Sequence, residues 1–542
     1  MSFFKRFLVS VLTVSLLLSC GREQLDGNLV SVKVETQRVR MSDSGTATVS
    51  FTVDEPHYVF DLTRDVVLYN ADGINPAPED FSLLKVAPGE GSGQYVATLA
   101  DRGLHGGVYL TRVLLGIQGR DGVITFSAPF EVCGEHYGFH TPTLETGLPV
   151  LYLDTENKAP ILSKEDYVTA RLAVHDPEED SWVEDLSCQV RGRGNTTWWW
   201  PKKPYLVKLD KKESVLGMPK HKRWVLLANF MDRTLMRNLV SMRVASLTSL
   251  DWTPRCRSVE LVLNGKHQGN YLLIEQVRVD KDRVPVTEMT PEDNDGEAVT
   301  GGYLLELDFH YDNEVQWIDP HGKSSDSVPG RGVPFGVKYP DPEDLTTAQL
   351  AYIKKYISDT ATALYGPDFQ EPEKGYARYI DVDSFVDYWI VFEVMGNHEL
   401  GNPGSVYFHK DRGGKLMAGP CWDFDWGILS YNTSPHARTG LVNEHAIWYD
   451  RLFQDPAFRQ KVKDRFQELL PKLETIPDFI RETELALEAS AGLNFAMWNP
   501  AEDASMTGGQ IINGDENQTF HQASVRLKGT FEERLNVIGK SL

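Results

Sequence analysis

Residues 419–427 read GPCWDFDWG, so that Asp423 and Asp425 alternate with Trp422, Phe424 and Trp426. In an extended strand successive side chains point to opposite faces. This spacing would set both carboxylates on one face and all three rings on the other. Two carboxylates on one face form a ligand set for a hard cation such as Mg²⁺. A half-buried strand with a wet acidic face carries the same alternation, and periodicity alone leaves both readings open.

Other side chains suit phosphate chemistry. In RGRGN, Arg191 and Arg193 alternate and would share a strand face, and a guanidinium fork matches phosphate oxygens. In KKPYLVKLD, the odd separation of Lys203 and Lys208 puts them on opposite faces of a strand. Lys208 lies nearer the strand's charged end. Gly192 and Gly194 are a weak signal, because the full G-x-G-x-x-G pattern is missing. The polar loop GNHELGN follows with Glu399 and Asn402.

The surrounding elements show how these groups are carried. LPVLYLDTE and KKPYLVKLD read as strands, and VELVLNGKHQGNYLLIEQV as a hairpin turning at Asn264-Gly265. DRTLMRNLVSMRVASLT has helical periodicity with Asp232 as N-cap, and DVDSFVDYWIVFEVMGN is an apolar helix capped by Asp381 or Asp383. SVYFHKDRGGKLMAGPCWDFDWG reads as a second hairpin that ends in the acidic stretch. Residues 286–345 read as loop-rich, with GGYLLELDF strand-like, and the chain beyond 445 reads as helical. Short alternating runs over 27–135 predict a β-sandwich of immunoglobulin-like type. The fold class expected is α+β.

Composition narrows the function. The chain has 542 residues, 41% of them hydrophobic, and a formal net charge of −22, which argues against nucleic-acid binding through a basic surface. Lys5 and Arg6 precede the apolar run Phe7–Leu18, which ends in LLSCG. Such a run is a secretory signal and too short for a good membrane span. Small residues around Cys20 look like a bacterial lipobox, so 1–20 is expected to be a lipoprotein signal with Cys20 lipidated. The protein would then be exported and held on a membrane of the bacterial envelope by its anchor alone. The other cysteines have no metal-type spacing, export permits disulfides without requiring them, and most read as buried thiols.

Glycine turn, lysine strand, helix, hairpin, apolar helix, polar loop, hairpin and acidic stretch follow one another as the parts of a protein kinase do. RGRGNTTW, KKPYLVKLDKK, LGMPKHKRWVLLANFMDRTLMRN, VELVLNGKHQGNYLLIEQV and GPCWDFDWG closely resemble the spore-coat protein H (CotH) kinase-like family over roughly 148–460. That leaves 461–542 as a helical C-terminal extension. The resemblance implies an atypical kinase-like fold that binds ATP with a divalent metal, Mg or Mn, and phosphorylates a protein or peptide acceptor. It implies that Asp423 binds metal with help from Asp425 and Asn402, in the manner of a kinase D-F-G aspartate. Glu399 falls where many members carry aspartate as the catalytic group. The backbone of Glu275, Gln276 and Val277 matches a hinge that pairs with adenine. Arg191, Arg193, Lys203 and Lys208 would hold the nucleotide.

Trp198, Trp199 and Trp200 support a different class, in which adjacent rings form a platform for a surface glycan or a peptide on a disused kinase scaffold.

The lipobox reading has a direct test. Cys20→Ser is expected to release the protein from the membrane fraction or to stall its processing. Normal cleavage with unchanged membrane association would contradict the anchor.

Overall fold

The computed structural model describes residues 144–542 except 180, 310–314, 326–327, 329, 426, 431–438, 499–513 and 516, together with the backbone of the strands between 32 and 142. The signal segment with Cys20, and Trp426, lie outside the described residues. The protein is a mixed α+β protein whose helices gather toward the C-terminus.

Strands between Val32 and Pro142 form two sheets. One has the order Val32–Val34, Thr46–Val53, Gln94–Ala100, Lys85–Pro88, and the other centres on Gly107–Ile117 paired with Val123–His136.

The next seven strands close into a barrel. They are β1 (Val150–Thr155), β2 (Val168–Asp176), β3 (Ser181–Gly192), β4 (Tyr205–Val215), β5 (Met218–Leu227), β6 (Cys256–Leu263) and β7 (Lys266–Glu275). Their order is β1-β2-β3-β4-β5-β7-β6, and β6 closes the ring by pairing parallel to β1. Alternate residues such as Leu151, Leu172, Val190, Val207, Leu226, Leu261 and Leu273 fill the interior. The β6–β7 hairpin turns at Asn264-Gly265, both with positive φ as a two-residue hairpin turn requires.

The opposite barrel face supplies Leu206, Val225, Leu227, Leu272 and Ile274 to a second core that runs on to Ile538. That core joins α1 (Arg237–Ala245) and a five-stranded sheet of order β9-β10-β8-β11-β12. The strands are β8 (Tyr303–Leu307), β9 (Gln316–Asp319), β10 (Val333–Tyr339), β11 (Val406–Lys410) and β12 (Leu416–Ala418). The helices are α2 (Thr347–Tyr365), α3 (Val382–Val394), α4 (Tyr449–Leu452), α5 (Pro456–Leu473), α6 (Ile476–Met497) and α7 (Phe520–Ser541). Residue 460 falls inside α5, and the helices after it share this core, so the expected division there is not a packing boundary. No described helix is long and apolar enough to cross a membrane.

Several local readings hold. Asp381 caps α3 by accepting from Ser384 N at 2.8 Å. Others need correction. The helix expected from Asp232 begins only at Arg237, because Leu235 has φ +56 and breaks it. Asp232 still accepts from Arg237 N at 2.8 Å, across that irregular turn. Residues 286–345 hold β9 and β10 beside the expected β8. The acidic stretch is not a strand: β12 ends at Ala418, Pro420 has no N–H to donate, and Asp423 has φ +63. Of the three tryptophans, Trp199 is 79% exposed, whereas Trp200 is buried beside Phe230 and Met231. A paired platform of Trp199 and Trp200 is therefore absent.

A buried lysine joins the barrel to α6. Lys202 Nζ donates to Asn270 O and, at 2.7 Å, to Asn494 Oδ1. A Cβ on Gly269 would lie 2.6 Å from that Asn494 oxygen, so the close approach needs glycine. Burial pushes the Lys202 ammonium down to about 7, against an upward pull from Glu260. Unfolded lysine titrates near 10.4, so between about 7 and 10 only the unfolded chain holds this proton and stability rises with pH. Urea midpoints of the parent relative to Lys202→Met should therefore climb from pH 7 to 10 and stay level below 7. A flat difference would mean that the ammonium is not desolvated.

Candidate functional site

The acidic segment lies where four parts of the chain converge. Trp422 and Phe424 are buried and anchor it, while Asp423 and Asp425, alternating with them, are half-buried. Phe424 N donates to Asn238 Oδ1 at 2.8 Å, so α1 fixes the backbone between the two aspartates. From the barrel side Arg193 lies over the Trp422 ring, 5.5 Å from its centroid. Glu399 comes from the loop after α3, and its N–H donates to Asn397 Oδ1 at 2.9 Å. Asp308, just past β8, accepts from Ser405 N at 3.2 Å.

The carboxylates feel one another. Burial and then the charges of Asp423 and Asp232 push Asp425 up to about 8, with Arg193 and the Asn238 amide pulling down. Burial holds Asp423 above the usual range, and Glu306 adds to this, while Arg193 and the Ser405 hydroxyl oppose it. Glu399 is held well above its ordinary value by burial and by Asp423, Asp425 and Asp308. Crowded, desolvated carboxylates with one guanidinium among them favour the arrival of further positive charge.

That donor set fits a cation in part. Among the described residues no three His, Cys, Asp or Glu side chains form a ready metal cage. Mg²⁺ is commonly held by one or two carboxylates and completes its shell with phosphate and water, which Asp423 and Asp425 could accommodate. Asn402 does not join them: it is exposed, and its Oδ1 accepts from Arg331 Nη2 at 2.6 Å.

The expected nucleotide residues do not all gather. Strand β3 ends at Gly192, so Arg191 and Arg193 do not share a strand face. Arg191 donates to Lys164 O and stacks at 5.0 Å over Tyr167, as Lys208 does at 5.6 Å, so these two stand together. Lys203 precedes β4 and folds back to donate to Trp198 O at 2.7 Å. Gly192 seats the Trp198 ring, which a Cβ there would meet at 2.3 Å. Two of the hinge groups are engaged within the protein: Glu275 N donates to Arg255 O at 3.1 Å and Gln276 O accepts from Arg283 at 2.7 Å. Sequence reasoning missed Asn238 and Ser405 as neighbours of the acidic pair, and Asp308 and Asn397 as neighbours of Glu399. Only Asp308, at the end of a strand-like run, had a visible signal.

The family described as CotH kinase protein matches residues 190–538, most of the chain, and no curated protein matches it.

The crowding at Asp425 has a measurable consequence. Unfolded aspartate titrates near 3.9, so between about 4 and 8 the folded state keeps a proton that the unfolded chain has lost, and stability falls as pH rises. In chelator, Asp425→Asn should be more stable than the parent at pH 8, and the gain should vanish near pH 4. Equal urea midpoints at pH 8 would show that this carboxylate is not under strain from its neighbours.

Proposed function

The chain belongs to the CotH kinase protein family, and from that premise we propose that it is an atypical kinase moving phosphate from ATP to a protein or peptide hydroxyl. The observation that carries this reading is the convergence of Arg193, Asp423, Asp425 and Glu399 in one shielded site. In this reading the barrel is the nucleotide-side lobe and the sheet-and-helix body the acceptor-side lobe of a kinase-like fold. A Mg or Mn ion on Asp423 and Asp425 would neutralise the phosphates.

The remaining roles fall to the chain's own residues. Arg193 offers its donor fork to phosphate oxygens while its charge faces both aspartates. Arg191 and Lys208, together beside Tyr167, are the next cations along the barrel for the nucleotide. Glu399 takes the acceptor's proton as the new O–P bond forms and the bond from the γ-phosphorus to its bridging oxygen breaks, releasing ADP. A carboxylate held above its ordinary range is a stronger base for that step. The glutamate reaches one methylene farther than the aspartate that many relatives carry.

Residues 27–135, read as an immunoglobulin-like spacer, and a lipid on Cys20 would hold this domain at the envelope surface.

Asp423→Asn tests the proposal, because it removes a ligand charge at nearly constant volume. Affinity for Mg-ATP should fall at least tenfold, about 1.4 kcal/mol, by calorimetric titration. Equal affinity in parent and variant would remove Asp423 from the metal. No measurable affinity in either would point to a scaffold without kinase chemistry.

A further inference from the structure

A buried network links the last helix to the loop of Glu399. Glu393, Asn397, Asn443 and Arg534 are all at most 1% exposed. Arg534, on α7, donates through Nε to Glu393 O at 2.8 Å and through Nη1 to Gly440 O at 2.6 Å, and its Nη2 pairs with the Glu393 carboxylate. That carboxylate accepts from Val442 N at 2.6 Å and from Asn443 N at 2.9 Å. Asn443 Nδ2 then donates to Asn397 O at 2.8 Å, and Asn397 Oδ1 accepts from Glu399 N. Asn397 N itself donates to Phe392 O at 2.9 Å, at the C-terminal end of α3.

We propose that Arg534 and Asn443 are positioning residues, which fix the Glu399 loop against segment 440–443 through the Glu393 carboxylate. The inference rests on the reading of Glu399 as the base. The geometry is more than packing. A guanidinium has its donors in a rigid plane, and here three of them reach the backbone carbonyl and the carboxylate of Glu393 and the carbonyl of Gly440, which ties two segments together. One carboxylate meanwhile satisfies two consecutive backbone N–H groups of 442–443. Together the bonds tie the end of α3 at Glu393 to segment 440–443, so a shift at Arg534 is passed to Glu399 through Asn443 and Asn397. Loops rarely hold a base to the tolerance that proton transfer needs without such support.

The fold could instead depend on the Glu393–Arg534 pair as a whole, since removing one partner leaves a buried charge. Asn443→Ser separates the two ideas. It breaks the link to Asn397 and leaves both charges paired. Backbone amide exchange in the full chain should quicken at least tenfold at Glu399 and stay unchanged in the β6–β7 hairpin. Arg534→Met should quicken exchange at Glu399, Val442 and Asn443, and Arg534→Lys should restore part of the protection. Where the parent transfers phosphate, Asn443→Ser should lower kcat at least tenfold with the KM for ATP within twofold. Unchanged exchange at Glu399 in Asn443→Ser, or equal loss of protection throughout the barrel, would overturn the positioning role. So would an unchanged kcat. A parent that transfers no phosphate would overturn the kinase reading, and the exchange measurements would still decide the network.

Discussion

A single buried guanidinium decides where the acidic segment can lie. Arg237 is 2% exposed, and it is held by Asp232, by Asp515 at 2.7 Å and by Ile428 O at 3.0 Å through its Nε. A buried charge is tolerable only when its donors are met, so these three segments cannot separate without stranding it. They are the loop before α1, the chain just ahead of α7, and the stretch immediately after Asp425. The same arrangement brings Asn238, one residue along α1, to Phe424 N. Position of the aspartates and closure of the C-terminal helices are thus one condition.

That condition sets the electrostatics. Asp232 is committed to Arg237, yet its charge still reaches Asp425 and helps to push it up. Glu399, from the loop after α3, and Asp308, past β8, add further carboxylates, and Asp308 helps to hold Glu399 above its ordinary value. A fold selected only for stability would have neutralised such a cluster or kept it in water. Retaining it behind buried rings, with Arg193 as the cation facing both aspartates, stores unfavourable energy that a bound cation can release.

Local signals in the sequence were informative where local chemistry decides the structure. Asn264-Gly265 fixed its hairpin and Asp381 its helix start, because each depends on residues a few positions apart. The helix α2 is equally legible through its Thr346–Gln349 capping box. The acidic segment misled in one respect. Its alternation sorts burial correctly at Trp422 and Phe424, but the backbone that produces it is irregular. The cue was Pro420, which cannot extend the β12 ladder.

What stayed hidden was contact across distance. Arg191 and Arg193 look equivalent in RGRGN, yet the end of β3 falls between them and sends one toward Tyr167 and the other toward Trp422. The hinge-like run at Glu275 is a strand end whose backbone groups meet Arg255 and Arg283, and no periodicity can reveal a partner supplied by another turn of chain. The same reason makes the region beyond 460 look like an appendage in sequence. Its helices are amphipathic and well punctuated, as an independent bundle would be. Only the three-dimensional structure shows that Arg534 and Asp515 carry buried charges into the centre of the domain. A helix that supplies the counter-charge for a buried carboxylate beside the Glu399 loop is part of the site's framework, and its boundary has to be drawn by where its charges end rather than by where a motif stops.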